Sequence, residues 1–141
     1  LQAVSAIKNA LSTAIEDEGE QILVFAHLSH LYDVGASTYI TYLWRRSPDP
    51  EVTLSRWKKL KGAASRKIVE LGSTISHQHG IGLDHMPYLK AEKGELGMQM
   101  IQSVCKTVDP DGMMNPGKLL FPSSSMMNLS VDATDGTLIE V

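Results

Sequence analysis

The sequence predicts an α+β fold, a small antiparallel sheet with helices packed on one face. Apolar residues recur with a helical period in three segments, residues 3–18, 51–71 and 95–108. Between the first two lie neighbouring segments rich in β-branched and aromatic residues, separated by turn material, and a short further strand is expected at 73–76. The order helix, strand, strand, helix, strand, helix is typical of an α+β unit. Because the strands are so few, we expect an incomplete sheet.

The first helix is predicted from apolar residues at helical spacing, followed by an acidic run, Glu16-Asp17-Glu18, before Gly19. Its apolar positions are Val4, Ile7, Leu11 and Ile15. Residues 21–31 and 36–44 then predict an antiparallel hairpin, with Asp33-Val34-Gly35 as the turn. The sequence therefore predicts an amphipathic helix that is followed directly by a two-stranded hairpin.

The second helix is predicted to follow the break at Ser47-Pro48-Asp49-Pro50 and to end at Gly72. The third helix, 95–108, is expected to turn four residues inward and to end at Asp109-Pro110-Asp111-Gly112. Those four inward residues are Met98, Ile101, Val104 and Cys105. Residues 113–120 are expected to form an ordered loop. A small terminal strand is expected from Leu138, Ile139 and Val141.

Composition describes one ordinary globular domain of 141 residues, with 43% hydrophobic and 21% charged residues. The net charge of −3 argues against a nucleic-acid function. The longest apolar run, residues 22–26, is too short to span a bilayer, and a secretory signal is not found, so a cytoplasmic location is expected. Cys105 is the single cysteine, which excludes an internal disulfide and suggests core packing.

Basic residues are concentrated in one stretch, since eight of the thirteen lysines and arginines lie between Arg45 and Lys67. Such a block favours either a solvated helix face or a surface that binds phosphate or membrane anions. The solvated face is the preferred interpretation.

The most informative stretch is Ser76-His77-Gln78-His79-Gly80-Ile81-Gly82. One interpretation is a catalytic or substrate-binding site, because neutral imidazoles exchange protons near neutral pH. A second is a metal site, in which Asp84 or His85 adds a third ligand. A third is a structural role, in which the histidines bond nearby backbone. The pattern alone leaves all three open.

Three motifs in this order resemble the C-terminal part of FAD-linked oxidases of the vanillyl-alcohol oxidase type. Within that superfamily they are most similar to alkyldihydroxyacetonephosphate synthase and its bacterial relatives. The resemblance covers residues 1–121, a C-terminal cap or substrate domain, and leaves 122–141 as a tail. The motifs are Leu31-Tyr32-Asp33-Val34-Gly35-Ala36-Ser37-Thr38-Tyr39, the histidine stretch above, and Asp109-Pro110-Asp111-Gly112-Met113-Met114-Asn115-Pro116-Gly117-Lys118-Leu119.

The resemblance implies a piece of a longer flavoenzyme that acts on a small hydroxy or keto substrate. FAD would be held mainly by a domain outside this chain, so the chain alone is expected to be inactive. Asn115, Gly117 and Lys118 belong to a segment that, in the family, returns toward the flavin domain, and they are expected to contact the cofactor. A homodimer formed through exposed apolar surface is a further expectation.

The resemblance also implies roles for single residues. Tyr39 matches a tyrosine proposed to act in proton transfer, and His77 and His79 match the outer members of a Ser-His-His-His-Gly motif that supplies catalytic imidazoles. Gln78 replaces the middle histidine and cannot act as a base at neutral pH, which puts alkyl-transfer chemistry in question. Tyr32, Gln78 and His85 are expected to bind substrate, with Tyr32 also fixing the hairpin turn.

A metal site is not expected, because the chain lacks the His-x-x-Gly-Asp-Gly-Asn-x-His segment of the D-lactate, glycolate and D-2-hydroxyglutarate dehydrogenases. His27 and His30 are expected to face opposite sides of their strand in structural roles. The rival hypotheses are a stand-alone, non-catalytic α+β binding module and a zinc enzyme that uses the histidines.

Overall fold

The structure is a computed structural model that describes residues 2–120, 129–131 and 138–140. Three α-helices, one 3₁₀ turn and four strands account for its regular structure. In chain order these are α1 (Gln2–Thr13), a 3₁₀ turn (Glu16–Glu18), β1 (Ile22–Tyr32), β2 (Gly35–Trp44), α2 (Pro50–Glu70), α3 (Met86–Val108), β3 (Leu129–Val131) and β4 (Leu138–Glu140).

The core lies between the two leading helices and one face of the β1–β2 hairpin. Leu11 and Ile15 from the first segment and Leu60 from α2 are fully buried there, together with Ile7 and Ala64. The hairpin closes this core with alternate residues of both strands. Those strand residues are Ile22, Val24, Ile40, Tyr42 and Trp44. The predicted arrangement, a small antiparallel sheet with helices on one face, is therefore confirmed.

The two faces of the hairpin differ because paired residues of antiparallel strands point to the same side. The pairs Ile22–Trp44 and Val24–Tyr42 face the core, whereas Leu23–Leu43 and Phe25–Thr41 face away from it. Leu23, Phe25 and Leu43 are each more than half exposed. The connecting loop is Asp33–Val34, because Gly35 already pairs with Tyr32 in the ladder. The hairpin prediction is confirmed, with a turn one residue shorter.

A β-bulge at Ser29 changes which residues of β1 face outward. The register runs from Leu28–Thr38 directly to His30–Ser37, so one residue of β1 has no partner. An extra residue reverses the alternation beyond it, which places His30 on the side that His27 occupies before the bulge. The prediction that these two histidines face opposite sides is wrong for this reason.

Helix α2 begins and ends as the sequence predicts. The Asp49 side chain caps the helix by accepting a hydrogen bond from the backbone N–H of Glu51 at 2.9 Å, and Pro50 occupies the first turn. Gly72, at φ +63°, ends it, and its N–H donates to the Val69 carbonyl at 2.9 Å.

Several basic residues of α2 are ion-paired rather than merely solvated. Arg56 Nε lies 2.6 Å from Glu18 Oε2, and Arg56 Nη1 lies 3.1 Å from Glu20 Oε1. Lys59 Nζ lies 2.7 Å from the other oxygen of Glu18. These contacts tie the 3₁₀ turn to α2, so the solvated-face interpretation of the basic block is only partly right.

Residues 73–76 do not form a strand, contrary to the prediction. Ile75 is buried, and its N–H donates to the Glu92 side chain at 3.0 Å instead of to another strand. The Ser73 N–H completes the end of α2 by donating to the Ile68 carbonyl at 3.1 Å. Because these donors are satisfied locally, the segment is a loop anchored by one apolar side chain.

Helix α3 begins at Met86, nine residues before the predicted start at 95. Gly94 interrupts it with a non-helical conformation, φ +68° and ψ 174°, and the predicted helix corresponds to the portion after this break. Met98, Ile101 and Cys105 are half-buried, but Val104 is 62% exposed, so its expected inward orientation is wrong. The half-burial of Cys105 likewise places it at the margin of the packed structure rather than in the core.

The ends of the chain differ from prediction in detail. Helix α1 ends at Thr13, before the 3₁₀ turn, rather than at residue 18. The terminal strand is confirmed as β4, which pairs antiparallel with β3, while Val141 lies outside the described residues. Among the helices that the structure describes, none combines the length and apolarity needed to cross a bilayer.

Replacing Leu60 by alanine should lower the free energy of unfolding by about 2–5 kcal/mol, because a fully buried side chain leaves a cavity between α2 and the hairpin. Urea denaturation followed by circular dichroism measures it. The matched control is Leu31→Ala, because Leu31 is 77% exposed, and it should change stability by less than about 0.5 kcal/mol. Equal losses in both variants would contradict the described core.

Glu18 should make stability depend on pH. Hydrogen bonds from Lys59 and Arg56 hold the pKa of Glu18 below its ordinary value of 4.5. A carboxyl whose folded-state pKa is depressed stabilises the fold above its unfolded pKa, and this contribution is lost as the pH falls through the folded value. Glu18→Gln should therefore cost about 1 kcal/mol near neutral pH and progressively less below about pH 4.5. Urea unfolding at a series of pH values checks this, and a constant difference would refute it.

Candidate active site

The loop between α2 and α3 carries the three histidines in a strongly curved backbone. Gln78, Gly80 and Gly82 all have positive φ, at +57°, +77° and +58°. Glycine adopts this region freely, whereas glutamine adopts it only at a cost in energy. The Ser76 hydroxyl closes the turn by donating to the Gly80 carbonyl at 2.9 Å. The loop thereby presents His77 and His79 on either side of Gln78.

His77 contacts the distal end of β1. Its Nε2 lies 2.7 Å from the phenol oxygen of Tyr32, and its ring centroid lies 5.2 Å from that of His30. The His30 ring is also stacked near Tyr32, at 6.4 Å, and its Nδ1 is 2.7 Å from the Ser29 hydroxyl. The bulge at Ser29 therefore helps to form a cluster of two imidazoles and one phenol.

His79 makes the equivalent contact with β2. The phenol oxygen of Tyr39 lies 3.1 Å from His79 Nε2, and the two rings meet edge to face at 5.3 Å. Tyr39 is 46% exposed, so its phenol is accessible to a ligand. Tyr42, which has a core-facing position, stacks on Trp44 instead. A phenol and an imidazole at this distance can pass a proton between them.

His85 pairs with a lysine of α2. Lys61 Nζ donates to His85 Nε2 at 2.7 Å, while His85 also bonds the backbone of Gly80. Burial lowers the pKa of His85, and the positive charge of Lys61 lowers it further. Burial also lowers the pKa of the Lys61 ammonium, opposed by the negative charge of Asp84. The lowered pKa of His85 favours a neutral imidazole, which can accept a hydrogen bond from Lys61 through Nε2.

A cavity of about 230 Å³ brings most of these groups together. Its polar wall includes Tyr39, Lys61, His77, Gln78, His79 and His85. Its apolar wall includes Ile40, Ile68 and Ile75. Tyr32 does not line the cavity, but its phenol contacts His77, which does. A larger groove of about 760 Å³ lies between α1 and α2, but its lining contains no imidazole or phenol among the described residues.

The segment expected to contact a cofactor lies next to the histidine loop. Asn115 and Gly117 have positive φ, at +49° and +70°, and the Leu119 N–H reaches the Gly82 carbonyl at 3.4 Å. The Asp109 carboxylate holds the start of this segment by accepting from the N–H groups of two methionines, 113 and 114, at 3.0 and 2.7 Å. Lys118 is exposed, and its Nζ lies 3.5 Å from the Pro116 carbonyl. An exposed ammonium beside an irregular backbone suits contact with an anionic group.

The structure thus gathers Tyr39, His77, Gln78, His79 and His85 at one cavity, as sequence reasoning expected for a site. Tyr32 contacts His77 rather than only fixing the hairpin turn. Asn115, Gly117 and Lys118 lie beside the loop and outside the cavity lining.

Two participants were missed, His30 and Lys61. His30 was read as structural because a bulge changes strand facing without leaving a sequence signal. Lys61 was included in the solvated block, although its position one residue after Leu60 in the core was a signal of partial burial.

The imidazoles have different partners and do not converge on one point. Within the described part of the chain, no three side chains of histidine, cysteine, aspartate or glutamate are arranged to hold a metal ion.

Comparison with known proteins identifies relatives that match about four fifths of this chain. Alkyldihydroxyacetonephosphate synthase of Trypanosoma brucei brucei is 28% identical over 115 residues, which cover 82% of this chain and 18% of the relative. The mitochondrial cytochrome D-lactate dehydrogenase of Arabidopsis thaliana is 26% identical over 119 residues, 84% of this chain and 20% of the relative.

An uncharacterized FAD-linked oxidoreductase of Escherichia coli O157:H7 is 26% identical over 113 residues, 79% of this chain and 23% of the relative. The chain thus spans about one fifth of the length of these relatives. A family model described as "FAD linked oxidases, C-terminal domain" matches residues 1–119. FAD is the cofactor expected from this match. The chain belongs to the family of FAD-linked oxidase C-terminal domains.

Proposed function

We propose that this chain forms the substrate-binding and proton-transfer wall of an FAD-dependent enzyme that oxidises a small hydroxy substrate. The observation that carries the proposal is the pairing of Tyr39 with His79 at a cavity that also contains His77 and His85. Relatives named as a D-lactate dehydrogenase and an FAD-linked oxidoreductase support this reaction class. Another relative is named as an alkyldihydroxyacetonephosphate synthase, which makes a small keto substrate the second candidate.

Oxidation of an alcohol to a ketone breaks one O–H and one C–H bond. FAD, when bound, supplies the acceptor for the two electrons and the hydrogen of the C–H bond. The residues of this chain handle the proton. As the substrate hydroxyl is deprotonated, Tyr39 receives its proton and passes its own to Nε2 of His79, which lies 3.1 Å away.

His77 has a different role in this proposal. Its Nε2 is already within 2.7 Å of Tyr32, so its other ring nitrogen remains for the substrate. Gln78 lies between the two pairs and offers an amide donor and acceptor. Because an amide does not titrate at neutral pH, Gln78 can orient the substrate but cannot replace either imidazole as a base. This favours redox chemistry over a mechanism that needs three imidazoles.

The cofactor-contact segment fits an anionic partner. Asn115 and Gly117 adopt positive φ in an exposed stretch, and Lys118 has its ammonium at the surface. In the proposal, Lys118 pairs with an anionic part of FAD while the backbone of Asn115 and Gly117 approaches it closely. The Leu119–Gly82 contact would link this segment to the histidine loop.

The two phenol–imidazole pairs should respond independently. Tyr32→Phe removes the partner of His77 and should shift the imidazole ¹⁵N resonances of His77 while leaving those of His79 in place. Tyr39→Phe should do the reverse, because each phenol contacts one imidazole. Heteronuclear NMR measures the ¹⁵N resonances of both histidines, and in each variant the unaffected histidine is the internal control. Identical shifts in both variants would contradict the separate pairs.

The function is tested with the protein expressed from its complete open reading frame. Its visible spectrum should show flavin bands that bleach with glycolate or D-lactate. His79→Gln should slow bleaching by about 10²–10⁴-fold, the usual contribution of general acid–base catalysis. His27→Gln is the matched control, because His27 is exposed and outside the cavity lining.

A colourless protein that cannot be reconstituted with FAD would overturn the flavoenzyme proposal and favour a non-catalytic binding module. Flavin bands that ignore hydroxy acids but respond to a ketone phosphate would instead favour synthase-like chemistry. A bleaching rate unchanged in His79→Gln would remove His79 from the proton path.

A further inference from the structure

We propose that Lys61, held in place by His85, binds an anionic group of the substrate, a carboxylate or a phosphate, at the end of the cavity formed by α2. The inference deepens the proposed function, since it rests on the substrate entering this same cavity. Lys61 is the one lysine or arginine among the described residues that line it. Its Nζ lies 2.7 Å from His85 Nε2.

Among the described residues, three other basic residues of α2 make ion pairs of a kind that Lys61 lacks. Arg56 and Lys59 meet the carboxylate of Glu18, and Lys67 meets Glu70. Among the described residues Lys61 has no carboxylate within 4.0 Å, although it is half-buried. The negative charge of Asp84 acts on this ammonium, but among the described residues no carboxylate lies within ion-pair distance of it, so the position is suited to an anion that arrives with a ligand.

His85 acts as the positioning partner of this ammonium. Lys61 Nζ donates to Nε2 of His85, and the backbone of Gly80 also bonds this histidine. A ring nitrogen that accepts from an ammonium carries no proton, so Nε2 of His85 holds Lys61 in place and does not itself donate to the anion. An ammonium has three donors, and His85 accepts one of them, so two remain for the oxygens of an anion.

The groups that line the cavity indicate the kind of substrate. Lys61 and the Tyr39–His79 pair line the same small space. The anionic group and the reacting hydroxyl must therefore be only a few bonds apart. A short hydroxy acid or a short hydroxyalkyl phosphate has this structure.

Isothermal titration calorimetry of the protein expressed from its complete open reading frame tests the inference. The probes form two matched pairs, D-lactate with neutral D-lactamide, and glycerol 3-phosphate with neutral glycerol. We expect one anion to bind at least about tenfold more tightly than its neutral partner, because a charge-assisted hydrogen bond is lost in the latter. The pair that shows the difference identifies the anion as carboxylate or phosphate.

Variants of α2 assign the effect to Lys61. Lys61→Met should weaken binding of the preferred anion by about tenfold or more, and Lys61→Arg should recover most of it because the charge is kept. Lys58→Met is the matched control, since Lys58 is an exposed lysine of the same helix outside the cavity lining, and it should stay within about twofold of wild type. Circular dichroism checks that the variants are folded.

Three results would overturn the inference: equal binding of anions and neutral analogues, equal effects of Lys61→Met and Lys58→Met, or no measurable binding of either anion. These results are separable from failure of the proposed function. Anion binding that depends on Lys61 in a colourless protein would retain this site and reject the flavoenzyme. Bleaching by hydroxy acids with an unaffected Lys61→Met variant would do the opposite.

Discussion

The bulge at Ser29 is the constraint on which the candidate site depends. Without the extra residue, the period of two would place His30 and Tyr32 on the core-facing side of β1. With it, both residues share the side of Tyr39, and the loop that carries His77 and His79 contacts all three. One unpaired residue therefore converts the distal end of a packing hairpin into a row of phenols and imidazoles.

The loop can lie against that row because both of its ends are fixed. At the first end, the Ser73 N–H donates to the Ile68 carbonyl in the last turns of α2. Ile75 is buried, and its N–H is bonded to Glu92 of α3. At the other end His85 is held between the Gly80 backbone and Lys61. The glycines between these anchors allow the reversal of direction. Helices fixed to the core thus position a segment that has no regular structure of its own.

Local chemistry explains which features could be predicted from sequence. The hairpin and α2 carry strong periodic patterns, with Asp49, Pro50 and Gly72 marking the helix ends, and both were predicted close to their observed bounds. The predicted strand at 73–76 was wrong because a short segment, in which only Thr74 and Ile75 favour a strand, cannot pair without a free neighbouring strand. Only the tertiary structure shows whether such a strand is present. The start of α3 was placed late because Gly94 resembles a helix boundary but interrupts a longer helix.

In the candidate site, too, local features could be predicted from sequence and long-range contacts could not. The histidine stretch is visible as a motif, so His77, His79 and His85 were identified from sequence. Their partners are 45, 40 and 24 residues away along the chain, and pairing at such separations is decided by packing. His30 was hidden by the bulge, and Lys61 by the lysines around it. Sequence therefore indicated the chemical groups, whereas their partners required the fold.

The glutamine between His77 and His79 suits this pairing. Three adjacent imidazoles would compete for shared protons, and protonation of one would disfavour protonation of the next. An amide at position 78 removes that coupling while retaining a donor and an acceptor. His77 is hydrogen-bonded to Tyr32, and His79 to Tyr39, in two separate units. Gln78 also takes the left-handed conformation at the centre of the turn, so a residue that separates the two units chemically is the one that separates them in space.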